Sequence, residues 1–462
     1  MIAVIREHAS TIVVSALSSL FAVTLILFTG ILTAAIDPAV IEAGGTFRVV
    51  LMMVALIFIL IALYVGAIVT ANTFSTIIAG RTRTIALLRL IGASAARVRA
   101  RVAGEGLAMG LLGAVLGFGI AEALCAAAVT WGPDAGWLPA GRDYPLFDPL
   151  TLVAVAIVAL TTWVAAWSGS RRVGRVSPIA ATGAAVELPA DRAGRRPART
   201  VWAVILLIIG VALLAIGIVL GLMTPLALFI AFMGGLFSFT GIALGAHFVM
   251  PPLLRISGRA LGNGPSGRLA AANAVRFPER SARSTIGLVI GVTLITMFAV
   301  ALASYETMTL QAFASDPRLA ADFTATLAVT TGVFTGLVGF SGVIAAVGLV
   351  NTLSLSVLQR ARELGLLRAL GFTGAQVRRM VLAESAQMTL TALVFGLVLG
   401  VFYGWTAAQT LLGFQTGLMA PAIPWPIIGG IVVCGIALAL IAAAAPARRA
   451  IRVSPIAALA AQ

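Results

Sequence analysis

Ten stretches of this 462-residue chain are long and apolar enough to cross a lipid bilayer, and that alone restricts it to one kind of fold. A spanning helix needs about 20 mostly apolar residues to cross about 30 Å of hydrocarbon. The runs are roughly 11–35, 49–75, 103–130, 150–169, 201–222, 226–250, 284–304, 330–357, 381–411 and 426–446. Composition agrees. Hydrophobic residues make up 60 % of the chain and charged residues 10 %, whereas a soluble domain carries about a quarter charged residues. So few charges could not cover a soluble enzyme, and a disordered chain needs the opposite bias. The first run ends in small residues, Ala34-Ala35, as a cleavable leader does. It is too long for one and lacks a strong basic start, so it reads as a retained span.

The charges set an orientation. Inner loops of the ten-span layout hold 28 of the 31 arginines; Arg48, Arg142 and Arg318 fall on the other side. Nine acids, among them Asp134, Asp143 and Asp148, lie outside and seven inside, so the two sides carry −6 and +21. Positive charge is retained in the cytoplasm, which places both termini there. The reading is an all-α, multi-pass protein of the inner (cytoplasmic) membrane.

Every basic residue is Arg and none is Lys. A phosphate-binding P-loop lysine, a Schiff-base lysine and a Ser-Lys pair are therefore absent, and no enzyme activity is expected of this chain. Cys125 and Cys434 lie in apolar runs and read as small buried hydrophobes. With His8 and His247 the only histidines, no metal site is expected. The arginines obey the positive-inside rule, so no nucleic-acid partner is expected either.

The chain is similar to itself. Asn72-Thr-Phe-Ser75, Arg81-Thr-Arg83 and Leu87-Leu-Arg-Leu-Ile-Gly-Ala-Ser94 return 279 residues later as Asn351-Thr-Leu-Ser354, Arg360-Ala-Arg362 and Leu366-Leu-Arg-Ala-Leu-Gly-Phe-Thr373. Without a gap, Val98-Arg99 meets Val377-Arg378 and Glu105 meets Glu384. A second block, Val176-Ser-Pro-Ile-Ala180, matches Val453-Ser-Pro-Ile-Ala457. The order is thus two four-helix repeats separated by a two-helix linker: residues 1–199, 200–256 and 257–462. An even number of intervening spans gives both repeats one orientation, which suits a pseudo-twofold axis along the membrane normal.

The repeated loop can be read physically. Ile85, Leu88 and Ile91, or Leu364, Leu367 and Leu370, form an i, i+3, i+6 apolar stripe on a short helix. Gly92 or Gly371 ends it by permitting a left-handed turn. Ser94 or Thr373 can cap the next helix, and Thr373 with Gln376 can form a capping box. Such an amphipathic helix either lies in the headgroups or docks a cytoplasmic partner.

The segment Arg360-Ala-Arg-Glu-Leu-Gly-Leu-Leu-Arg-Ala-Leu-Gly-Phe-Thr373, followed by Glu384, resembles the stretch after the second span of FtsX/MacB-like ABC-transporter permeases. Arg81 to Ser94 is similar, with Thr84 in place of Glu363 and Ala86 in place of Gly365. The resemblance implies a membrane subunit whose post-span helices dock a separate ATPase, expected as a dimer that binds ATP and Mg. The docking residues it implies are Arg81, Arg83, Ile85, Leu88, Arg89 and Gly92, with Arg360, Arg362, Glu363, Leu364, Leu367, Arg368 and Gly371. The ten-span layout is similar to permeases of antimicrobial-peptide resistance. Those carry a large extracellular domain where this chain has only a short loop, about 305–329. The expected function is therefore export or extraction of a lipid-like, amphipathic or peptide substrate taken from membrane lipid. The alternative is a non-transporting regulatory scaffold that relays ATPase motion to a sensor kinase or an envelope protein.

Glu105 and Glu384 open the third and ninth spans, either as loop-positioning partners of arginines or as first-turn carboxylates. Glu122 lies near an outer span end. Gly106, Gly110, Gly113 and Gly117, and Gly396, Gly400 and Gly404, have the four-residue spacing of close helix packing. Trp131, Trp137, Trp202 and Trp425 sit near span ends as interfacial anchors do. No span holds a row of ionisable residues, which disfavours an ion-coupled carrier.

Overall fold

The computed structural model describes residues 9–35, 82–135, 138, 140–170, 197–260, 278–312 and 371–437, with isolated positions between 53 and 71 and at 272. These residues form α1 (Ala9–Ala35), α2 (Thr82–Leu90), α3 (Ala95–Trp131), α4 (Pro149–Gly169), α5 (Pro197–Gly221), α6 (Ala227–Ala260), α7 (Pro278–Ala312), α8 (Gly374–Thr416) and α9 (Trp425–Ala437). No strand occurs among the described residues. Seven helices, α1 and α3 to α8, are long and apolar enough to span a membrane, and they coincide with seven of the ten runs. The short α9 begins the last run; the runs at 49–75 and 330–357 lie largely or wholly outside the described residues.

The chain divides into two compact units, Met1–Ala185 and Val186–Gln462. In the first, α1, α3 and α4 share a core of Ala22, Val23, Leu27 and Ile31 with Ala121, Cys125 and Ala154. Cys125 is buried there, as a small apolar residue would be, whereas Cys434 on α9 is exposed and not the buried hydrophobe the sequence suggests. Glycine permits the close approach. A Cβ on Gly117 would stand 2.1 Å from the Ala16 carbonyl oxygen, and one on Gly110 would stand 2.6 Å from the Thr162 methyl. Small hydroxyls then bond across the helices: Ser19 Oγ donates to Ala114 O at 2.7 Å, and Ser15 and Thr162 hydroxyls are 3.1 Å apart. The opposite face of α3, with Leu112, Val115 and Leu116, is exposed. In a spanning helix, whose backbone bonds are all internal, that face meets lipid.

α4 starts where Asp148 caps it. The Asp148 carboxylate accepts from the Leu150 N–H at 2.8 Å, and Pro149 needs no donor there. In the loop before it, Pro145 lies against Gly30 of α1.

In the second unit α7 and α8 pack through Gly396, Gly400 and Gly404, whose Cβ positions face Val292, Thr296 and the Met297 carbonyl. The hairpin α5–α6 packs on itself through Gly210 and Gly241 and docks on this pair. Its apolar contact joins Met250 and Leu254 to Val289, Met388 and Ala392. Three polar contacts reinforce it. The Ser257 and Thr391 hydroxyls are 2.7 Å apart, Gln387 Nε2 donates to Leu254 O, and the Ser238 and Tyr403 hydroxyls are 2.9 Å apart.

Candidate functional site

The repeated loop is described more fully in its first copy. α2 ends in a Schellman turn. The Ala93 N–H reaches back past Gly92 to Leu88 O at 2.9 Å, the bond that defines this turn, while the Ile91 N–H still makes the ordinary helical bond to Leu87 O at 3.2 Å. Gly92 closes the turn with φ 96°, in the left-handed region. No atom lies within 4 Å of a Cβ placed there, so the demand for glycine is torsional rather than steric. Ser94 follows with φ −70° and ψ 148°, and its Oγ accepts from the Arg97 N–H at 3.2 Å, opening α3.

The second copy repeats this geometry 279 residues on. Gly371 has φ 94°, and Thr373, at φ −71° and ψ 153°, opens α8. Here the capping box is complete: Gln376 N donates to Thr373 Oγ1 at 3.3 Å and Thr373 N donates to Gln376 Oε1 at 2.8 Å. Arg97 stands at the matching place in the first copy, and a guanidinium cannot accept, so that copy keeps only the single cap.

α2 is held to α3 by its own apolar residues. Ile85 is buried against Val98, with Ala93 and Val102 around them. The expected stripe of Ile85, Leu88 and Ile91 is therefore not one face. Ile85 points inward, Leu88 is half-buried, and Ile91 is 81 % exposed. The outward apolar face is instead Leu87, Leu90 and Ile91, an i, i+3, i+4 set whose spacing is visible in the sequence. Arg83 and Arg89 lie on α2 with side chains outside the described set. Arg81, Arg360, Arg362, Glu363, Leu364, Leu367 and Arg368 lie outside the described residues altogether.

Glu105 and Glu384 are each the eleventh residue of their helix rather than first-turn carboxylates, because α3 and α8 start back at the caps. Glu105 accepts from Arg101 Nε at 3.3 Å, one turn earlier on the same helix. Glu384 is buried.

A bundle of apolar helices interrupted by two alike loops, each a glycine turn followed by a capped long helix, defines a multi-pass membrane protein with a duplicated surface element. The chain belongs to the FtsX-like permease family: the FtsX-like permease C-terminal family matches residues 56–178 and again 335–455, just over half of the chain, and both stretches contain the loop. An uncharacterized ABC transporter permease of Methanocaldococcus jannaschii is 30 % identical over 140 residues, 30 % of this chain and 35 % of that protein. The uncharacterized ABC transporter permease YknZ of Bacillus subtilis is 28 % identical over 156 residues, 34 % of this chain and 36 % of that one. The macrolide export ATP-binding/permease protein MacB of Sodalis glossinidius is 28 % identical over 117 residues, 25 % and 17 % of the two chains. The matched stretch spans about a third of the length of the first two relatives. Family and helices together make this a multi-pass protein of the cell membrane.

Proposed function

We propose that the chain is the membrane subunit of an ABC transporter. A separate ATPase, a dimer binding ATP and Mg, docks on the two repeated loops and drives export or extraction of a lipid-like, amphipathic or peptide substrate. The observation that carries this reading is the recurrence of one backbone geometry at Gly92–Ser94 and Gly371–Thr373. Insertion into a membrane does not require two loops to be alike, whereas engaging the two halves of a symmetric partner does. MacB and the pyoverdine exporter PvdT of Pseudomonas syringae, both named as export ATP-binding/permease proteins, support the direction.

In this reading the chain has ten spans in a four-two-four order, over 1–199, 200–256 and 257–462, with both termini in the cytoplasm. The +21 against −6 charge split supports it. Leu87, Leu90 and Ile91 form the apolar centre of the first docking face. Leu366, Ala369 and Leu370, at matching positions, form the second. Arg81, Arg83, Arg89, Arg360, Arg362, Glu363 and Arg368 supply a charged rim. Ile85 and Val98 make each push on α2 a push on α3.

Cysteines placed at Leu87, Ile91, Leu366 and Leu370 should crosslink to a co-expressed cognate ATPase. No crosslink at either loop would overturn the docking reading. Crosslinks with no lipid or peptide moved by the reconstituted pair would favour a scaffold that only relays motion.

A further inference from the structure

At the arginine-rich end of the first unit an arginine is backed by a tryptophan. The Arg99 guanidinium carbon is 5.6 Å from the centroid of the Trp167 ring, where α3 begins and α4 ends. Trp163, one turn earlier on α4, packs on Trp167 with centroids 5.6 Å apart and planes at 59°. Arg101 close by is paired with Glu105. Arg99 has no such carboxylate: its Nε is closed off from solvent and has no hydrogen-bond partner among the described residues. With Nε enclosed, the donors left to meet an oxygen ligand are the two terminal guanidinium nitrogens, which have no partner among the described residues.

Depth and surroundings say what kind. α4 has 21 residues, about 31 Å of helix, which matches the hydrocarbon thickness. Trp167, two residues from its end, therefore lies at headgroup level, where interfacial tryptophans sit. Beside it Leu160, Val164 and Trp167 itself are exposed on the face that meets acyl chains. A molecule that offers phosphate oxygens at this depth, directly above an acyl chain, is a phospholipid. The first two turns of α3, Ala95 to Val102, hold three arginines and no acid. Nothing there would balance the cationic group of a zwitterionic lipid.

We propose that Arg99 and Trp167 form a binding site for an anionic phospholipid. The guanidinium donates to the headgroup phosphate, and the indole face covers the guanidinium from behind. The site belongs to the first repeat alone. Arg378, the counterpart of Arg99, is exposed, and the run 426–446 that corresponds to α4 contains no tryptophan.

The test is lipid competition read by native mass spectrometry. The purified chain is incubated with equal amounts of phosphatidylglycerol and phosphatidylcholine. Unaltered protein should retain phosphatidylglycerol about fivefold over phosphatidylcholine, the preference that one arginine at an anionic surface supports. Arg99→Gln should bring the ratio near unity, and Arg378→Gln should leave it unchanged. Trp167→Leu keeps every charge and should also lower the ratio, so the test survives if Arg99→Gln fails to fold. Equal retention by unaltered protein overturns the proposal, as does a preference that Arg99→Gln and Trp167→Leu both leave intact. Displacement of the bound lipid by excess inorganic phosphate would mean a soluble-anion site and also overturn it.

Discussion

The Arg142 guanidinium donates to the carbonyl oxygen of Ala34 at 2.9 Å, so a side chain from the 132–148 loop caps the end of α1. The last carbonyls of a helix lack internal partners and carry partial negative charge. One of the three arginines that depart from the charge asymmetry is thus used as a helix cap. Arg142→Met should lower stability by about 1–2 kcal/mol, the scale of a charged hydrogen bond at a helix end. Thermal unfolding in detergent would measure it, and an unchanged midpoint would show that the bond contributes nothing.

Gly117 and Gly119 lie two residues apart on α3 and should respond in opposite ways to alanine. A methyl at Gly117 would sit 2.1 Å from Ala16 O, while at Gly119 it meets nothing within 4 Å. Gly117→Ala should force α1 and α3 apart and reduce the monodisperse yield. Gly119→Ala should be neutral, or stabilise by up to about 1 kcal/mol through helix propensity. Size-exclusion profiles of the two variants decide the point.

Gly92→Val should leave the spans folded and impair the loop. A β-branched residue at φ 96° costs at least about 1–2 kcal/mol, and the turn that aims Leu90 and Ile91 would open. In a reconstituted complex, ATP hydrolysis by the partner should fall while the permease keeps its melting temperature. Loss of both would mean that the turn serves the fold alone.

Loop 417–424 is held by side chains from the helices beside it. Gln409 is fully buried; its amide donates to Gly417 O at 2.7 Å and accepts from Met419 N at 3.1 Å. Ser304 Oγ accepts from Ala422 N at 3.1 Å, one bond further along. Gln409→Ala should speed amide exchange at Met419 about tenfold and spare Ala422; Ser304→Ala should do the reverse. Equal acceleration at both amides in either variant would show the loop opening as one piece.

Much of this architecture is legible in the residues, because a bilayer leaves few choices. Seven apolar runs are helices, and the Thr373–Gln376 capping box and the left-handed glycines at 92 and 371 follow from local chemistry alone. Spacing reveals less about which way a short helix turns. Ile85, Leu88 and Ile91 share a stripe on an unbroken helix, but α2 unwinds into Gly92, and the nearby Val98 claims Ile85. Ile91 is left outside with Leu87 and Leu90. The sequence also marks the glycines as packing residues without saying that Gly110 meets α4 while Gly113 and Gly117 meet α1. Such pairings depend on tertiary contacts that no local window contains.

The clasp between the α5–α6 hairpin and α8 limits how far this chain could be shortened. Gln387 and Tyr403 point into the hairpin, bonding Leu254 O and the Ser238 hydroxyl. Excising 197–260 would turn both polar groups toward lipid, where each unsatisfied one costs several kcal/mol. A version of the chain without the hairpin would therefore have to be redesigned along the exposed seam, starting with Gln387→Leu and Tyr403→Phe, rather than simply trimmed.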